Sequence, residues 1–137
     1  MRFLVPLLLL FLSTAASAQD PADIFHKTVD LDSIDQVSFT VYAGDSYEVR
    51  PWPGDDILIE TNVVLNNGKA HILKFFREKK RWDLEPTVTG KQMVLASGDT
   101  KRRVVQGTEG TTSETVNIVV YMPENFTEAG GVYRRRD

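Results

Sequence analysis

Apolar and polar residues alternate along much of the chain. In Val37-Ser38-Phe39-Thr40-Val41-Tyr42 the apolar Val37, Phe39 and Val41 share one side of a period-two pattern, which is the mark of a half-buried strand. Ala43-Gly44-Asp45 supplies turn chemistry and Tyr47-Glu48-Val49-Arg50 resumes the alternation, so the two segments together predict a hairpin. Pro51 and Pro53 end that ladder, and Pro53-Gly54-Asp55 forms a second turn. From Ile57 the pattern restarts with Ile57, Ile59, Thr61, Val63 and Leu65 on one face and Leu58, Glu60, Asn62 and Val64 on the other. This is the longest predicted strand, and Asn66-Asn67-Gly68 closes it.

The period then changes. Ile72, Leu73, Phe75, Phe76 and Lys79 follow the i, i+3, i+4, i+7 spacing of a helix face, which predicts one short helix over 70–79. Arg81-Trp82-Asp83-Leu84-Glu85 alternates again, Gly90 turns the chain, and Gln92-Met93-Val94-Leu95-Ala96 is the next strand. Residues 97–113 are polar apart from Val104 and Val105 and predict a long loop or a flaring hairpin. The final strand sets Val116, Ile118, Val120 and Met122 on one face and Val119 and Tyr121 on the other, before Pro123 stops it.

Ahead of these elements, residues 1–18 combine Arg2, an apolar run over 3–12 and the small-residue ending Ala16-Ser17-Ala18, the form of a secretory signal cleaved after Ala18. The apolar run is about half the length that a bilayer-spanning helix needs, and no later segment approaches that length. The expected organisation is a signal at 1–18, a leader and first strand region at 19–36, a β-rich domain at 37–123 and a mobile basic tail at 124–137. The expected fold is mainly β: a single domain built as a β-sandwich, a β-roll or a short solenoid, with one helix near 70–79. A cysteine-free exported domain of this size indicates a bacterial periplasm or cell exterior, because small secreted eukaryotic domains rely on disulfides.

Charge adds a gradient. The whole chain carries −3, and loss of Arg2 with the signal makes it −4. Residues 19–60 hold ten acids against Lys27 and Arg50, whereas residues 61–137 hold thirteen bases against nine acids. Either the two parts attract each other in the fold, or the basic part presents a face to a polyanion.

Candidate chemistry is sparse. His26 and His71 are the only histidines, no thiol is present, and no serine sits in G-x-S-x-G or S-x-x-K spacing, so nucleophilic catalysis and zinc ligation both lack their usual groups. Asp30-Leu31-Asp32-Ser33-Ile34-Asp35 departs from the calcium-loop pattern at Ile34 and Asp35 and reads as turn capping. Asp83 and Glu85 lie two apart, the reach of a glycosidase carboxylate pair, though the domain is small for a sugar cleft. The remaining candidates are Lys79, Lys80, Arg81 and Trp82, with Lys101, Arg102 and Arg103. These would attract an acidic glycan by charge with aromatic stacking, or would serve as basic sheet edges that resist aggregation.

The strand at 37–41, the segment Tyr47-Glu48-Val49-Arg50-Pro51-Trp52-Pro53-Gly54-Asp55-Asp56-Ile57-Leu58-Ile59-Glu60 and the closing Val116-Asn117-Ile118-Val119-Val120-Tyr121-Met122-Pro123 resemble secreted bacterial adhesin domains of the head-GIN type. That resemblance spans about two thirds of the chain beyond the signal and implies stacked short strands and an exported location, with no catalytic residues to carry over. The I-L-K-F-F and R-W-D-L-E segments also resemble a set of uncharacterised exported proteins of Bacteroidetes-like bacteria. The function expected from the whole is a non-catalytic structural or binding module of the bacterial envelope, without cofactor, metal or nucleic-acid partner. Its alternatives are recognition of an acidic glycan or lipopolysaccharide through 79–81 and 101–103, and a small hydrolase.

Overall fold

The computed structural model describes residues 19–107 and 110–136, so the predicted signal at 1–18 lies outside the described residues. In chain order the elements are β1 (Ala22–Val29), β2 (Gln36–Thr40), β3 (Ser46–Trp52), β4 (Ile57–Asn66), α1 (Ala70–Glu78), β5 (Leu84–Thr89), β6 (Gln92–Ser97), β7 (Val105–Gly107), β8 (Gly110–Pro123), β9 (Phe126–Ala129) and β10 (Val132–Arg135). They make two mixed sheets. One has the order β1-β4-β8-β3 with β7 folded against the start of β8, and the other has the order β5-β6-β2-β10-β9. In the first, β8 runs antiparallel to β4 and parallel to β3. In the second, β2 and β6 form the parallel pair.

The alternation seen in sequence is what fills the interior. Ile57, Ile59, Val63 and Leu65 of β4 and Val116, Ile118, Val120 and Met122 of β8 meet Val37 of β2 and Met93 and Leu95 of β6 in one hydrophobic cluster. Two sheets that bury alternate residues in a shared core form a sandwich, not a roll or solenoid. Each fully buried aliphatic side chain contributes about 1.5–3 kcal/mol. α1 lies on the core, burying Leu73 and packing Ile72 and Phe76 against it while Phe75 faces out.

Two expectations are corrected. The predicted hairpin of 37–42 with 47–50 does not form: the turn exists, closed by Asp45 N–H on the carbonyl of Tyr42 at 2.9 Å, but it carries the chain from β2 in one sheet to β3 in the other. The first strand region expected within 19–36 holds β1, which pairs with β4 from Ala22 to Val29, and the Pro21 carbonyl accepts from Leu65 N at 2.9 Å. The expected tail carries two strands. β9 and β10 form a hairpin whose two-residue turn uses Gly130 (φ 61°) and Gly131 (φ 80°), left-handed positions that glycine adopts without steric cost. Arg135, predicted as part of a loose basic run, donates to the Ile34 carbonyl at 2.6 Å and lies 5.0 Å over the Phe126 ring.

The flaring-hairpin reading of 97–113 is the one adopted, with β7 pairing the first residues of β8. The edge strands β3 and β5 contain Pro51 and Pro86, whose missing N–H groups suit an edge.

Candidate functional site

The end of α1 sets the geometry of the site. Lys80 N–H donates to the Arg77 carbonyl at 3.0 Å and Arg81 N–H reaches back to the Phe76 carbonyl at 3.1 Å, the paired bonds of a Schellman motif. The left-handed position in that motif, usually glycine, is held by Lys80 at φ 57°. The apolar contact that commonly closes such a motif is replaced by the Arg81 guanidinium stacked 4.3 Å from the Phe76 ring centroid. Arg81 and Trp82 are thereby turned inward, and Trp82 is 1% exposed with its ring edge-on to Phe76.

Both meet Glu114 of β8. Trp82 Nε1 donates to Glu114 Oε2 at 2.7 Å, Arg81 Nε donates to the same oxygen at 3.0 Å, and Arg81 Nη2 reaches Oε1 at 3.4 Å. From the segment after β6, Arg102 Nη1 lies 2.6 Å from Asp45 Oδ1 and 3.6 Å from Glu114 Oε1. The Arg102 and Asp45 side chains are each only 2% exposed. Arg102 also lies 4.1 Å over the ring of Tyr42, whose own backbone N–H is held by Ser97 Oγ at 2.8 Å. Two guanidinium groups and two carboxylates thus neutralise one another at a closed corner of the sandwich, where removing one partner of a buried pair costs about 3–5 kcal/mol.

The corner is not fully satisfied. Among the described residues, Arg102 Nε, Arg102 Nη2 and Asp45 Oδ2 are buried without a hydrogen-bond partner. A cavity of about 240 Å³ lies at the same corner, lined by Asp45 and Arg102 together with Tyr42, Leu65, Phe76 and Val104.

The seven sequence-predicted site residues therefore divide. Arg81, Trp82 and Arg102 are held inside the network, so their side chains are not free at the surface for charge attraction or stacking. Lys79, Lys80, Lys101 and Arg103 are exposed. The fold brings the two groups together: Arg81 Nη2 donates to the Arg103 carbonyl at 2.9 Å. Neither run lies in a strand, so the basic-edge explanation does not apply to them.

The other candidates are placed as follows. His26 Nε2 is 3.1 Å from Glu60 Oε2 on the outer face of the β1–β4 pair, and His71 is exposed on α1. Asp83 and Glu85 share Lys27, whose Nζ is 4.0 Å and 3.3 Å from them. Asp30 Oδ1 accepts from Asp32 N–H at 3.1 Å, the capping role read from sequence, and this proximity raises the Asp32 carboxyl above its ordinary range. Part of the charge gradient is internal attraction, since Asp23 pairs with Arg77 at 2.6 Å and Asp45 with Arg102.

Asp45, Glu114 and Tyr42 were missed by sequence reasoning. Glu114 left a signal: it has the same parity as Val116, Ile118, Val120 and Met122, an acid on the strand's inward face. Asp45 left none, because an aspartate after glycine reads equally well as turn chemistry. No family model, curated protein or solved structure matches the chain.

Proposed function

We propose that this chain is an exported, non-catalytic binding module of a bacterial envelope that takes acidic glycans at the corner where 79–81 and 101–103 meet. The observation that carries this reading is the hydrogen bond from Arg81 Nη2 to the Arg103 carbonyl, which joins two basic runs 22 residues apart. Arg81 and Arg102 are neutralised by Glu114 and Asp45, so attraction at long range falls to Lys79, Lys80, Lys101 and Arg103. These four exposed cations flank the bond that joins the runs, and a polymer with repeated anionic groups can engage several of them at once. The predicted secretory leader supports a location outside the cytoplasm, and the absence of cysteine from an exported domain of this size supports a bacterial envelope. Among the described residues no helix is long and apolar enough to cross a membrane.

The test is retention of the chain 19–137 on immobilised heparin, lipopolysaccharide and neutral dextran. Retention on the two acidic supports at low salt, release by added salt and no retention on dextran are expected. The variant with Lys79, Lys80, Lys101 and Arg103 all changed to Gln should elute early. Passage of the unaltered chain through both acidic supports at low salt overturns the reading.

A further inference from the structure

We infer that the cavity beside Arg102 and Asp45 seats one acidic sugar unit of the uronate type, with its carboxylate on Arg102 and a ring hydroxyl on Asp45. This rests on the acidic-glycan reading and narrows it from a charged corner to a built pocket.

The argument begins with the guanidinium's two edges. Nη1 is occupied by Asp45 Oδ1 at 2.6 Å, with Glu114 Oε1 at 3.6 Å. Nε and Nη2 form the opposite edge, where two N–H bonds point the same way at a spacing that matches the two oxygens of a carboxylate. These are the two nitrogens left buried and unpartnered. An unmet buried donor on a charged group is expensive, so the edge favours an occupant with two acceptor oxygens.

Asp45 Oδ2 limits the choice further. It is a buried acceptor without a donor, and it belongs to the same ion pair as the open fork. Sulfate and simple carboxylates offer oxygens for the fork but no O–H for Asp45. A carboxylate on a hydroxylated ring offers both. The cavity of about 240 Å³ has room for a single sugar ring. Leu65, Phe76 and Val104 supply apolar wall for the C–H face of such a ring. The three unmet atoms are enclosed, so the ring reaches them only when side chains at this corner shift.

The experiment uses galacturonate as probe, with its methyl ester and galactose as controls, on the chain 19–137. The readouts are the Arg102 Nε–H resonance and the indole N–H resonance of Trp82, the latter bound to Glu114. Galacturonate should shift both, whereas the ester and galactose, which lack the carboxylate, should leave the Arg102 signal in place. Arg102→Lys keeps the charge but removes the fork, and should weaken galacturonate binding at least about tenfold. If that variant fails to fold, the Arg102 resonance of the unaltered chain decides. Acetate or phosphate binding as tightly as galacturonate overturns the sugar assignment. Retention on acidic supports with an unmoved Arg102 signal overturns the pocket and leaves the surface reading standing. Galacturonate binding without polymer retention does the reverse.

Discussion

Replacing Asp45 with Ala removes the nearer carboxylate from the buried Arg102 guanidinium and leaves only Glu114 Oε1 at 3.6 Å, and the consequence can be sized from the structure. The pair is 2.6 Å apart with both side chains 2% exposed, so solvent does little to screen the loss. Breaking such a pair costs about 3–5 kcal/mol. A domain of this size has roughly 5–15 kcal/mol in total, so the variant should remain folded but far less stable, with Tm lower by roughly 12–20 °C. Arg102→Met strands Asp45 in the same way and should cost a comparable amount. The double variant removes both charges and lets the Met side chain lie on Tyr42 where the guanidinium lay, so it should be much less destabilised than the two single losses combined. Urea unfolding of all four proteins gives the coupling energy, expected at about 3 kcal/mol or more. Single losses below about 1 kcal/mol, or additive losses, would refute the reasoning, because they are the behaviour of an exposed pair.

Three further outcomes follow from local geometry. Lys80→Gly places glycine at the left-handed position of the α1 terminus and should stabilise the fold by roughly 0.5–1 kcal/mol in urea unfolding, and a loss of stability would contradict the Schellman assignment. Gly54→Ala would bring a methyl to 2.3 Å from the Trp52 indole, which is held by its Nε1–H on the Asp56 carbonyl; a loss of about 1–3 kcal/mol is expected, and an unchanged midpoint would show that the ring is free to move. Tyr133 packs edge-on against Phe39, and burial first, then the nearby Glu128, raises its phenol above the ordinary value of about 10. The folded state thus holds this proton more tightly than the unfolded chain, so the contribution is complete below about pH 10 and is lost as pH rises through the folded value. Unfolding midpoints measured from about pH 8 to about pH 11 should show an alkaline decline that Tyr133→Phe reduces.

What the sequence made legible follows from where strict alternation is kept. β4 is buried at every second position from Ile57 to Leu65, and β8 from Val116 to Met122, so a period-two pattern located both strands and their inward faces. The first strand was expected within 19–36, but the bounds of β1 were not legible because its inward parity includes Asp23 and Lys27, whose partners Arg77, Asp83 and Glu85 lie more than fifty residues away. Turn chemistry at 43–45 was correct, but a turn does not specify whether the next strand rejoins the same sheet. The C-terminal hairpin looked like a charged tail because Arg134, Arg135 and Arg136 dominate its composition, whereas its order comes from Phe126, Tyr133 and the anchoring of Arg135. For the site, the basic runs were visible and their convergence was not. Long-range contacts decide which arginines are buried: Asp45 and Glu114 reach Arg102 and Arg81 across distances that no local pattern encodes.

The acidic-glycan reading is tested most directly by the salt dependence of heparin affinity for the unaltered chain and for variants that lose Lys79, Lys80, Lys101 and Arg103 one after another. Each exposed cation engaged with a polyanion should add about one to the slope of log affinity against log salt, so the slope should start near four and flatten stepwise towards zero as the cations are removed. A slope near zero in the unaltered chain, or one that the fourfold substitution leaves unchanged, would contradict the account.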